Sequence, residues 1–213
     1  MNKEELQSIR KKIQTSLDAK DKAREKALPL SREIIRNAAN AIRAVHRGEF
    51  DEAVELMDEA LEFKNKIDKA LADHPDVYWA GFVHDALKEY AEARTTYALI
   101  RREALPHPDE LGVSYPAYLN GIGEAVGELR RHILDQIRTR GENWGEDMLE
   151  VMDDIYYFLA SMDYPAAISG NLKRTADVTR SIIEKTRGDL TTSIRSQHLE
   201  EAMVRLEKKL KNE

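Results

Sequence analysis

The chain has 213 residues, enough to bury a sizeable core without metal or disulfide staples. Charged residues make up 34% and the hydrophobic set 42%, a folded rather than a disordered composition, and the absence of cysteine excludes disulfides, thiolate metal sites and cysteine nucleophiles. A net charge of −6 excludes a globally cationic nucleic-acid binder but leaves room for a local basic surface.

Apolar residues recur at intervals of three and four between Gly and Pro marks, and no segment alternates at period two. The pattern predicts an all-α protein of seven helices. The first spans about 3–47, with Pro29 inside it as a candidate bend. The second spans about 50–73, with Val54, Met57, Leu61 and Ile67 at helical spacing. The third spans about 76–105. The fourth, about 115–140, has Ser114 as candidate N-cap. The fifth spans about 144–163. The sixth runs from about 166 to 187 and is expected to stop at Gly188. The last, about 189–211, places Ile194, Met203, Leu206 and Leu210 on one stripe. Gly141 and Gly145 mark a loop. Links are short, there is no repeat or low-complexity linker, and a single domain over 1–213 is expected. The longest uncharged run, Leu111–Gly123, is 13 residues, too short to span a bilayer. The N-terminal residues lack the apolar core of a signal peptide, and a cytoplasmic location is expected.

On the third helix, Trp79, Val83, Ala86, Leu87, Tyr90, Ala93 and Tyr97 form the expected core stripe. Glu89 and Glu92, at i,i+3, share one flank of it. The fourth helix buries Tyr115, Leu119, Ile122, Val126, Leu129, Ile133 and Ile137. Its opposite face carries Gly121, Glu124, Gly127, Glu128 and Arg131. Gly121, Gly123 and Gly127 each cost roughly 0.8–1 kcal/mol inside a helix relative to alanine. Small residues on a face admit a second backbone or a ligand. Two readings stay open from spacing alone: tight helix packing with glutamates at the rim, or a carboxylate cluster in a close-approach surface. If the two helices are neighbours, Glu89, Glu92, Glu124 and Glu128 converge. Four carboxylates without His or Cys make a hard oxygen site, suited to Mg²⁺ or Mn²⁺ rather than zinc.

Arg94, Arg101 and Arg102 on the third helix, and Arg130, Arg131, Arg138 and Arg140 on the fourth, are candidate phosphate contacts, with ordinary surface charge as the alternative. Lys173, Arg174, Arg180, Lys185 and Arg187 read as helix solvation or interface pairing. Tyr78, Trp79 and Tyr118 are candidates to stack on bases, Trp79 being placed by its stripe in the core. The six histidines are scattered, with no zinc motif among them.

EYAEA at Glu89–Ala93, GIGEAVGELRR at Gly121–Arg131, VMDDIYYFLASMDYP at Val151–Pro165 and NLKRTADVTRSIIEKTRGDL at Asn171–Leu190 resemble, in order and spacing, the translin family, which includes translin and translin-associated factor X (TRAX). The resemblance covers about residues 10–210. It implies a seven-helix α/α fold assembling into a hollow octamer with a basic interior that holds single-stranded RNA or DNA. It implies further that Glu89, Glu92, Glu124 and Glu128 fall at the acidic positions of the TRAX type, a magnesium-dependent endoribonuclease. Translin-type subunits carry apolar residues where Glu89 and Glu92 stand. The TRAX type has aspartate at the position of Glu124, one methylene shorter. The expectation is a homo-oligomeric, Mg²⁺- or Mn²⁺-dependent endoribonuclease. A non-catalytic single-stranded nucleic-acid-binding shell and a helical scaffold are the alternatives.

Overall fold

A computed structural model describes residues 2–140 and 145–211, with the side chain of Arg140 outside that description. Gly141, read as a loop mark, and the first residue of the expected fifth helix lie outside the described residues. The described residues form nine helices and no strand: α1 (Lys3–Arg47), α2 (Phe50–Leu71), α3 (Pro75–Tyr78), α4 (Gly81–Arg101), α5 (Pro108–Leu111), α6 (Tyr115–Arg140), α7 (Glu146–Ala160), α8 (Ala166–Ser169) and α9 (Leu172–Leu210).

The all-α expectation holds. The count of seven changes for two physical reasons. The single turns α3, α5 and α8 are too short to show a helical period. The expected break at Gly188 does not occur: α9 runs 39 residues straight through it. Gly188 keeps a negative φ, and nothing lies within 4 Å of where its Cβ would stand. At Gly48, by contrast, the backbone turns left-handed at φ 79°, and the cap N–H reaches Ala44 O and Val45 O. α1 opens with Asn2, whose side chain accepts from Glu4 N–H at 3.1 Å. Pro29 sits within the continuous α1. Ser114 Oγ accepts from Ala117 N–H at the start of α6.

Two apolar cores share α6. One joins α1, α2 and α4 through Ile34, Met57, Ile67, Leu71, Val83, Leu87 and Tyr90. The other joins α6, α7 and α9 through Val126, Leu129, Ile133, Met152, Leu159, Ile183 and Leu190. α4 and α6 therefore lie side by side at the centre, which is the contact the acidic residues require.

Two of the expected core aromatics are exposed instead. Trp79 is 68% exposed, because the helix breaks at Trp79–Ala80 and α4 starts afresh at Gly81, so the wheel that placed it in the core has the wrong phase. Tyr115 is 60% exposed at the first position of α6, beyond the reach of either core. The stripe of α9 is exposed as well at Met203, Leu206 and Leu210. Leu6, Ile9, Ile13 and Leu17 form a matching exposed stripe on the first five turns of α1. Among the described residues, no helix is long and apolar enough to cross a membrane.

Candidate metal centre

Gly121 decides how closely α4 and α6 approach. A Cβ there would stand 2.7 Å from Lys88 O and 2.9 Å from Glu92 N, so only glycine lets the α4 backbone lie against α6 at this level. The close packing at Gly121 brings three of the four glutamates together. One carboxylate oxygen from each of Glu89, Glu92 and Glu124 lies within 4.8 Å of the others. Glu128, one turn further along α6, is not in this group. Its carboxylate accepts a hydrogen bond from His46 Nε2 of α1 at 2.6 Å, and Arg131 stands 3.8 Å away.

The electrostatics follow from burial and like charge. Glu92 is only 8% exposed. Desolvation, followed by the neighbouring charges of Glu89, Glu124 and Glu128, pushes its pKa to about 8. Burial also raises Glu89, with Glu124 adding to the shift and Lys88 opposing it. Glu128 moves the other way, because the His46 hydrogen bond favours its charged form.

Lys88 and His46 are the participants that spacing did not single out. Lys88 Nζ lies 2.6 Å from Glu124 Oε2 and 3.4 Å from Glu89 Oε1. Its sequence signal was weak, since a lysine beside a glutamate on a helix ordinarily reads as solvated charge. His46 has a side chain only 4% exposed, and its Nδ1 is buried with no hydrogen-bond partner. Nothing in its local sequence links it to α6.

The chemistry of the donor set fits a hard divalent ion. Three carboxylates from two helices offer oxygen ligands alone, one of them desolvated among like charges that a cation would relieve. Beside them opens a cavity of about 740 Å³, lined by His84, Lys88, Glu92, Glu124, Asn171 and Arg174 among others. Asn120 of α6, one turn before Glu124, also lines it; its Nδ2 donates to Ser169 O at 3.1 Å and its Oδ1 accepts from Thr175 Oγ1 at 2.5 Å.

The arginines are dispersed. Arg94 stands 3.7 Å from Asp58, Arg101 pairs with Glu103 and stacks over Phe50, and Arg138 pairs with Asp135. Arg130 bonds Thr186 Oγ1 and Asp189 of α9, a tie between two helices. Of the five, Arg131 is the one paired with an acidic residue expected at the site, and its side chain is 55% exposed. Tyr118 is buried, lining a separate apolar cleft of about 650 Å³ with Tyr115, Phe158 and Tyr164, while Tyr78 donates to Asp68.

No family model matches the chain. An uncharacterised protein of Methanocaldococcus jannaschii, MJ0175, is 34% identical over 191 residues, covering 88% of this chain and 84% of that protein. A structure of AfC3PO in complex with duplex RNA superposes with a TM-score of 0.78 at 31% identity, over 90% of this chain and 97% of that one. The chain belongs to the translin family. Another AfC3PO crystal structure gives a TM-score of 0.77 at 31% identity, covering 90% of this chain and 98% of that one. Apo-NeC3PO shares the translin fold at 21% identity, with a TM-score of 0.75 over 88% and 96% of the two chains.

Proposed function

We propose that this translin-family protein is a metal-dependent endoribonuclease acting on single-stranded RNA, with Glu89, Glu92 and Glu124 holding Mg²⁺ or Mn²⁺ and Glu128 acting beside them. The observation that carries the reading is the meeting of three carboxylates from α4 and α6 at one point, beside a cavity whose lining also includes Lys88 and Arg174. A divalent ion there would supply positive charge to a phosphodiester and activate water for in-line attack. The protein's own part is to gather and orient the oxygens. Glu92, whose carboxyl pKa is pushed up to about 8 by burial and neighbouring carboxylates, would hold a cation as its carboxylate, its proton passing to solvent. His46 fixes the Glu128 carboxylate in its ionised form, one turn from Glu124. Arg131 faces solvent beside Glu128 and would meet phosphate charge, and Arg94, Arg101, Arg130 and Arg138 would add weaker, salt-sensitive attraction.

The AfC3PO–RNA complex supports RNA as the ligand class. The unpartnered apolar stripes of α1 and α9 support self-association of a single 1–213 domain into a closed homo-oligomer, an octamer as the family resemblance implies. In such a shell an acidic chain can turn its cations inward toward nucleic acid. The non-catalytic reading also has one observation behind it: Lys88 already neutralises Glu124.

The test is incubation of the purified protein with labelled single-stranded RNA and, in parallel, duplex RNA, in Mg²⁺ or in EDTA. Cleavage of the single strand that needs Mg²⁺ and falls at least a hundredfold in Glu124→Gln is the expected result, about 3 kcal/mol of lost transition-state stabilisation. Salt-sensitive retention without cleavage would establish the binding-only reading, and no retention at low salt would establish the scaffold.

A further inference from the structure

Lys88 stands where a metal ligand set has no place for it. Its ammonium lies 2.7 Å from Glu124 Oε1 and 2.6 Å from Glu124 Oε2, so both oxygens of that carboxylate face the same cation. Glu89 Oε1 is 3.4 Å away, and the Lys88 side chain is only 20% exposed. One positive charge is set against the two carboxylates that it contacts, Glu124 and Glu89. A divalent ion would bring twice the charge to the same Glu124 oxygens, and at that range it would repel the ammonium. The lysine side chain is long and flexible, and it also borders the cavity shared with His84 and Arg174, the space open to it on leaving Glu124.

We propose that Lys88 is an exchangeable cation of this site. It holds Glu124 and Glu89 together when no metal is bound, yields them to the ion, and turns into the adjoining cavity to hold a phosphate oxygen of the RNA. Metal binding thereby builds part of the substrate site, so the two ligands bind cooperatively, each raising the other's affinity by the same factor. This inference rests on the metal-site reading above, and it makes Lys88 a gate rather than a fixed counter-charge.

The experiment titrates Mn²⁺ into the full-length protein without RNA, reading free Mn²⁺ by electron paramagnetic resonance, for wild type, Lys88→Gln, Lys88→Met, Lys88→Arg and Glu124→Gln. Circular dichroism checks that each is folded. A second arm measures single-stranded RNA binding by fluorescence anisotropy with and without Ca²⁺. Removing the competing charge should tighten Mn²⁺ about fivefold in both Lys88→Gln and Lys88→Met, the worth of a partly exposed ion pair. Lys88→Arg should stay near wild type. Ca²⁺ should raise the RNA affinity of wild type and not that of Lys88→Gln. Wild-type Mn²⁺ binding that Lys88→Gln leaves unchanged or weakens overturns the exchange while sparing the metal site. Absence of Mn²⁺ binding in both wild type and Lys88→Gln overturns the two together.

Discussion

Glu92 concentrates the energetics of the site in one side chain. Its carboxyl is buried beside two other glutamates of the cluster, and its pKa rises from an ordinary 4.5 to about 8. The folded metal-free protein thus holds one proton more than the unfolded chain between those two values. That contribution to stability is complete below pH 4.5 and is lost as pH rises through about 8, at up to about 1.4 kcal/mol per pH unit within the window. Thermal unfolding of the metal-free protein should show this decline, and Glu92→Gln should flatten it; an unchanged slope would mean that Glu92 is solvated. The same proton makes Mn²⁺ affinity climb toward pH 8 in wild type. Glu89, Glu92, Glu124 and Glu128 were legible in the sequence as acidic residues on helix flanks. That the fourth is tied to His46 was not, because the contact joins positions 82 residues apart and depends on where α1 passes. Trp79 failed for a local reason, a helix break that periodicity cannot register.

At the scale of elements, the α4–α6 contact brings the three carboxylates together, and Gly121 permits its closeness. Gly121→Ala places a Cβ 2.7 Å from the backbone oxygen of Lys88, a contact that no flexible side chain can relieve. It should cost about 1–3 kcal/mol from overpacking, more than the ~1 kcal/mol gained in helix propensity, and it should weaken Mn²⁺ binding by pushing the helices apart. Gly127→Ala meets its nearest neighbour, Ile182 Cδ1, only at 3.9 Å. It should be neutral or stabilising by up to about 1 kcal/mol. Gly188→Ala, with open space around it inside α9, should stabilise by a similar amount. Chemical denaturation of the three variants checks the order, and equal effects at Gly121 and Gly127 would remove the close-approach argument. The long helices were legible from their periods and caps. Of the three glycines on α6, Gly121 lies against α4 and Gly123 against α7 and α9, while Gly127 has no close neighbour, a distinction that composition alone does not carry. Gly188 misled because a glycine ends a helix only when the chain turns left-handed there, and local sequence does not reveal that it stays helical.

On the scale of the whole molecule, the chain leaves apolar surface that it does not cover itself. Leu6, Ile9, Ile13 and Leu17 on α1, and Leu199, Met203, Leu206 and Leu210 on α9, are each more than 40% exposed. Such stripes on projecting helix ends call for partner surfaces. Met203→Glu with Leu206→Glu should therefore lower the mass measured by light scattering without unfolding the subunit, since both side chains lie outside the two cores. A mass unaffected by the pair would place the interface elsewhere. RNA affinity should fall as salt rises, because phosphate contacts release counterions. Sequence showed that the α9 stripe was apolar but not that it faces away from the subunit, since an amphipathic helix looks the same whether its partner is in the same chain or another.

The central claim is spatial: carboxylates of α4 and α6 grip one hard ion. Anomalous diffraction from crystals grown with Mn²⁺ tests it most directly. The account predicts a peak with Glu89, Glu92 and Glu124 oxygens at about 2.0–2.6 Å and the Lys88 ammonium withdrawn from Glu124. Crystals with no peak between α4 and α6, and Lys88 still seated on Glu124 at millimolar Mn²⁺, would contradict it.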